Sequence, residues 1–277
     1  MEPECKKRMI YYKTNDEIEL MRESNLLVSK TLAHIAGILK VGKTGKLIDK
    51  EAEEFILDNG GKPGFKGYRG FPATLCMSVN DAVVHGIPSD RIFASSDVIS
   101  IDCGVILNGF YGDAAFSFAF HDVSQEVSRL LKITRESLYK GINAAVVGNR
   151  VGDISYAIQH YCEKVNGYSI VRELVGHGVG KNLHEDPEVP NFGFKGKGPI
   201  LKEGLVIAIE PMVNMGNKAV KQLNDGWTIL TKDGKPSAHY EHSIAIRREG
   251  PDILSDHSII DDSIKKNEEI VDISINF

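Results

Sequence analysis

Asn108-Gly109 stands between two alternating runs and is the strongest short-range signal in the chain for a two-residue type I′ hairpin turn. With that turn, Leu107 pairs with Phe110, Gly104 with Asp113, and Asp102 with Ala115. Side chains two apart share a strand face, so Asp102 and Asp113 lie on one side, diagonal across the ladder at roughly 7–8 Å or less. Carboxylates that close repel unless a positive charge lies between them, and a divalent cation pair bridged by a shared carboxylate would supply it. Taken alone, both acids could equally face solvent, because Asp beside Gly is common at turns. Their apolar company, Val98, Ile99, Ile101 and Val105, argues for a buried strand, where an aspartate needs a partner.

Three further segments carry acidic or imidazole groups. Gly176-His177-Gly178-Val179-Gly180 sets an imidazole among glycines, where the backbone can approach a ligand without Cβ clashes. His184 follows seven residues later; an isolated segment of this kind could also be an ordinary loop. Leu205-Val206-Ile207-Ala208-Ile209-Glu210-Pro211 is an apolar strand that delivers one carboxylate just before a proline ends the ladder, a site that would also suit a solvent-facing Glu. In His239-Tyr240-Glu241-His242-Ser243-Ile244-Ala245-Ile246, strand periodicity points His239 and Glu241 the same way. Asp102, Asp113, His177, Glu210 and Glu241 together make an oxygen-rich set with one nitrogen, which suits Mn, Fe, Co or Zn rather than a thiolate-seeking ion.

The elements that must position these groups follow from periodicity. Helical spacing over residues 14–39 opens with Thr14 and Glu17 as a capping box, and a second helix over 44–57 stops at Asn59-Gly60-Gly61. Residues 74–84, 98–103 and 110–120 are short, rich in β-branched or aromatic side chains, and punctuated by Gly, Pro and Asn, as strands are. Helices return over 123–147 and 153–165, and strands then dominate to Leu254, clearest at 205–210 and 239–246. Helix pair, strands, helix pair, strands, without strict βαβ alternation, reads as α+β, with helices on one face of a mostly antiparallel sheet. No linker or fixed repeat interrupts it, so one domain over 1–277 is the economical reading. Residues 256–277 form either a frayed tail or a docked terminal strand.

Composition narrows the function classes. A 42% hydrophobic content is enough for a substantial core, and a net charge of −5 without a Lys/Arg cluster argues against nucleic acid. Residues 1–12 hold no secretory apolar run, and no stretch approaches the roughly 20 apolar residues of a membrane span, so the cytoplasm is expected. Cys5, Cys76, Cys103 and Cys162 form no C-x-x-C pair and are expected as reduced thiols.

Over about residues 15–254 the chain resembles the type I methionine aminopeptidases of the short bacterial kind. Asn80-Asp81-x-x-x-His85-Gly86, Asp102 with Asp113 eleven later, Gly176-His177-Gly178, Ile209-Glu210-Pro211-Met212 and Glu241-His242 occur in that family's order and spacing. The resemblance implies the pita-bread fold, with a curved sheet and helices on its outer face, a C-terminal tail over 255–277, and a monomer. It implies two divalent metal ions (Co, Mn, Fe or Zn), with Asp113 and Glu241 bridging both, Asp102 holding one, and His177 with Glu210 completing the other. Removal of the N-terminal methionine of nascent polypeptides and peptides, favouring a small second residue, would follow, with the ribosome a candidate partner. A water bridging the two ions would be the nucleophile and Glu210 its proton acceptor. His85 would orient the substrate's amino end, and His184 would support the scissile carbonyl. Phe65, Tyr68, Phe71, Cys76, Leu183 and Trp227 would form the methionine pocket, where a flexible thioether suits aromatic walls.

The chain departs from the family at Gly104 and Ala114, where relatives often carry a hydroxyl, at Phe65, usually smaller, and at His239, commonly Gln. X-Pro-cleaving relatives share the fold and ligand set but usually carry a further amino-terminal domain. A partner-binding protein of the same fold would have lost its ligands, whereas all five positions are intact here.

Overall fold

The computed structural model describes residues 9–273. Helices α1 (Asn15–Ile38) and α2 (Gly45–Asp58) precede a first set of strands; α3 (Gln125–Ala144) and α4 (Val151–Gln159) precede a second; short α5 (Ser258–Ile264) follows. Helix starts fall where the sequence offers caps. Thr14 Oγ1 accepts from the Glu17 N–H at 3.2 Å while Glu17 Oε2 accepts from the Thr14 N–H at 3.0 Å, closing the expected box. Thr44 and Ser124 cap α2 and α3 from their side chains.

Strands β1 (Leu75–Val79), β2 (Val98–Leu107) and β3 (Phe110–Ala119) pair antiparallel in that order. The β2–β3 turn places Asn108 and Gly109 at φ 54° and 80°, the left-handed pair that a type I′ turn requires. Its register is the expected one: Leu107 opposite Phe110, Gly104 opposite Asp113, Asp102 opposite Ala115. Ser24 Oγ on α1 donates toward Leu107 O and Phe110 O (3.0 and 3.1 Å), fixing the helix across the hairpin end.

The second set holds β4 (Gly176–Gly178), β5 (Glu185–Val189), β6 (Val206–Ile209), β7 (Ser237–His239), β8 (His242–Arg247) and β9 (Gly250–Ile253). Five of these form one sheet in the order β9-β8-β6-β4-β5, while β7 pairs with Met212–Asn214. All strand pairings among the described residues are antiparallel, apart from an isolated parallel bridge between Ile10 and Asp186. One continuous core, with Leu32, Ile35, Ile48, Ile99, Phe116, Leu130 and Ile207 fully or nearly fully buried, draws on both helix pairs and both strand sets. Each such side chain contributes about 1.5–3 kcal/mol by leaving water.

Two expectations are corrected. Residues 239–246 are not one strand: β7 ends at His239, the chain crosses at Tyr240-Glu241, and β8 begins in another sheet. The cross-over is held by β3, whose Ala115 O accepts from the Glu241 N–H (3.0 Å) and whose Asp113 O accepts from Ser243 Oγ (2.9 Å). The tail is neither frayed nor a strand over its described part. It forms α5, touches Phe120 through an isolated bridge at Ile270, and sends Asn267 Nδ2 to Ala36 O and Leu39 O at the end of α1 (2.7 and 2.8 Å). Residues 274–277 lie outside the described residues, as does Cys5; Cys76, Cys103 and Cys162 are buried and free.

Candidate metal centre and substrate pocket

Five elements converge on one site. Asp102 comes from the middle of β2, Asp113 from β3, His177 from β4, Glu210 from the residue after β6, and Glu241 from the β7–β8 cross-over. Ligand-type atoms of Asp113, His177 and Glu241 all lie within 4.8 Å of one another. His177 Nε2 is 3.7 Å from Asp113 Oδ2 and 3.6 Å from Glu210 Oε1. Its Nδ1 is 2.8 Å from Gly178 O, and a carbonyl can only accept, so Nδ1 donates there and Nε2 is the ring atom turned to the carboxylates.

The glycines around His177 serve the sheet rather than a ligand. A Cβ at Gly176 would stand 2.4 Å from Ala208 O, and one at Gly178 would stand 2.4 Å from Asp186 O. Their absence lets β4 lie tight between β5 and β6, which presents His177 to the site.

Burial dominates the electrostatics. It lifts Asp102 and Glu210 to about 7, and Asp113 and Glu241 well above the usual carboxylate range. The Asp102 carboxylate adds to the rise at Asp113, and Asp113 to that at Glu241. Asp102 Oδ1, Asp113 Oδ1 and Glu241 Oε1 are buried without a hydrogen-bond partner. Orphaned buried oxygens carry a cost that a divalent cation removes, so the residues present fit bound metal, and their oxygen-rich composition fits a hard or borderline ion.

Beside the centre lies a cavity of about 170 Å³. Phe65, Tyr68, Phe71, Cys76, His85, Leu183, His184 and Trp227, all expected from the sequence, line it together with the five ligand-type residues. Phe71 and Trp227 meet edge to face at 5.1 Å between centroids. His184 Nδ1 is 2.8 Å from the Tyr68 hydroxyl, and its ring lies 4.3 Å from that of His177. Burial, reinforced by His177, pushes His184 down to about 3, and burial pushes His85 down to about 4, so both are neutral at pH 7. A larger groove of about 380 Å³ beside Phe192 and Pro199 is lined by none of these groups.

Sequence reasoning missed two residues. Arg69 lines the cavity from a left-handed backbone position (φ 50°) and lies over the Tyr68 ring at 5.3 Å; nothing in Tyr68-Arg69-Gly70 distinguished it from a surface turn. His239, read from the sequence as sharing a face with Glu241 and as a departure from the family but not as a member of the site, stands in the centre, with Nε2 3.6 Å from Glu210 Oε2.

Comparison with known proteins agrees with this geometry. Residues 19–248 match the model of metallopeptidase family M24. A methionine aminopeptidase of Clostridium perfringens is 52% identical over 247 residues, covering 89% of this chain and 99% of the relative. Methionine aminopeptidase 1 of Bacillus subtilis is 49% identical, with 89% and 99% covered. The crystal structure of methionine aminopeptidase from Thermotoga maritima superposes with a TM-score of 0.87 at 41% identity, covering 89% of this chain and 99% of that one. Prolidase from Pyrococcus horikoshii, 21% identical with a TM-score of 0.70 and 63% of its chain covered, shares the fold. With this likeness spanning both halves of the site, the chain belongs to the M24 family of metallopeptidases and has the pita-bread fold.

Proposed function

We propose that the chain is a methionine aminopeptidase that hydrolyses the first peptide bond of polypeptides beginning with methionine, with a small residue second. The carrying observation is the clustering of four carboxyl groups and the His177 imidazole beside an aromatic-lined cavity. Asp102, Asp113, His177, Glu210 and Glu241 would hold two divalent ions, from among Co, Mn, Fe and Zn. Such ions act as Lewis acids and bring the pKa of water from about 15.7 toward about 7.

The remaining work belongs to the chain itself. Glu210, whose carboxyl reaches the centre from the end of β6 between the His177 and His239 rings, accepts a proton and returns it to the leaving nitrogen. With Nδ1 of neutral His184 taken up by the Tyr68 hydroxyl at 2.8 Å, its Nε2 is the ring atom that would donate to the carbonyl oxygen as negative charge develops there, in the tautomer that has Tyr68 as donor. Neutral His85 orients the substrate's amino end. Phe65, Phe71, Leu183 and Trp227 exclude water from the methionine side chain, and the small cavity leaves little room for a bulky first residue. New polypeptides are the substrates this activity calls for, which agrees with a cytoplasmic monomer working near the ribosome; no helix among the described residues is long and apolar enough to cross a membrane.

The test is hydrolysis of Met-Ala and Ala-Pro peptides by the Mn- or Co-supplemented protein. Met-Ala should be cleaved and Ala-Pro spared, with His177→Ala and Glu210→Ala losing at least about 1,000-fold in kcat/KM while keeping the wild-type circular dichroism. Equal turnover by either variant would remove the assignment.

A further inference from the structure

Glu210 is flanked by two imidazoles, not one. His177 Nε2 lies 3.6 Å from Oε1, and His239 Nε2 lies 3.6 Å from Oε2 of the same carboxylate. His239 is 2% exposed, its Nε2 is buried, and that atom has no hydrogen-bond partner. The ring is also close enough to Asp102 to act on its carboxyl. The residue is held there firmly: Ser117 Oγ accepts from the His239 N–H at 3.0 Å and donates to His239 O at 2.8 Å.

We infer that His239 is a further ligand of the centre, its Nε2 donating to the ion on the Asp102 side of Glu210; this rests on the proposed metallopeptidase reading. The distances favour coordination over a plain hydrogen bond. An N–H···O bond spans about 2.7–3.2 Å, so 3.6 Å is too long. Two donors to one ion, each bonded at about 2.1 Å, stand about 3.0 Å apart at a right angle, about 3.4 Å at the tetrahedral angle and about 3.6 Å at the roughly 120° of a trigonal arrangement. The separations His177–Glu210 and His177–Asp113, 3.6 and 3.7 Å, are of the same kind. A ligand set with two imidazoles binds Co, Ni and Zn more strongly relative to Mn than a set with one, because nitrogen donors strengthen along that series. This chain should therefore discriminate against Mn more than a protein with an amide at position 239.

The experiment is proton NMR of the Co-loaded protein, in which the ring N–H of each coordinated imidazole gives a strongly shifted, solvent-exchangeable signal, paired with calorimetric titration by Co and Mn. Two such signals are expected in the wild type and one in His239→Gln, with Co affinity at one of two sites falling at least 10-fold and Mn affinity changing less. His177→Ala should retain the His239 signal and lose the other. A single signal in wild type, with two Co bound and an unchanged isotherm in His239→Gln, would overturn the inference and leave the metal centre standing. A wild type that binds no Co would overturn both.

Discussion

Removing one acid from the centre should stabilise the metal-free protein, although it damages the metal site. Asp102, ordinarily near 3.8, is lifted to about 7 by burial and is the second cause of the rise at Asp113. A carboxyl whose folded value lies above its unfolded value contributes fully to stability below about 3.8, and that contribution is lost as pH rises through about 7. At 1.36 kcal/mol per pH unit, Asp102 costs the fold about 2 kcal/mol at pH 5, where it must take up a proton on folding, and about 4 kcal/mol at pH 8, where it is buried ionised. Asp102→Asn keeps the shape and removes the ionisation. In a domain of this size, where 1 kcal/mol moves Tm by about 2–4 °C, the variant should melt some 10 °C above wild type at pH 8 and about 5 °C above it at pH 5. Relief at Asp113 adds to the effect, and relaxation of the site around an ionised Asp102 subtracts from it. With saturating Co or Mn the order should reverse, because wild type alone gains the full binding term. The assay is differential scanning calorimetry of chelator-treated protein from pH 5 to 8, without and with metal. A chelated variant no more stable than wild type at pH 8, or a difference that does not grow with pH, would refute the claim that burial forces these carboxyls toward the neutral form.

Gly104 and Phe65, two separate departures from the family pattern, are one coupled change: a Cβ at residue 104 would stand 2.4 Å from the Phe65 ring. Gly104→Thr should displace that ring into the methionine pocket and raise KM for Met-Ala about 10-fold or more, while Gly104→Thr with Phe65→Cys should recover most of the loss; additive losses in peptide kinetics would show the sites to be independent. Asn267→Ala should cost about 1–3 kcal/mol in urea unfolding, because it strips the donor from Ala36 O and Leu39 O at the end of α1. An unchanged midpoint would mean that water replaces the amide without loss.

What the sequence disclosed depended on how local the cause was. Asn108-Gly109 fixes a turn type, the turn fixes the register, and the register alone puts Asp102 and Asp113 on one face. Thr14 with Glu17, and Glu210 before Pro211, are likewise settled within a few residues. The break at Tyr240-Glu241 was hidden because alternation continues through it, and the chain changes sheets only because β3 offers Ala115 O and Asp113 O to the crossing segment. The purpose of Gly176 and Gly178 was hidden in the same way, since only the positions of Ala208 O and Asp186 O, in neighbouring strands, make a Cβ impossible. His239 is the sharpest instance. Periodicity put it beside Glu241, but its relation to Glu210 depends on how β7 approaches the end of β6, and Ser117 on β3 sets that approach by bonding both backbone groups of residue 239. A serine in a strand announces nothing by its type or spacing. If the hydroxyl holds the imidazole against Glu210, then Ser117→Ala should weaken Co binding as well as the fold, whereas a loss of stability with metal affinity intact would make Ser117 a packing residue and nothing more.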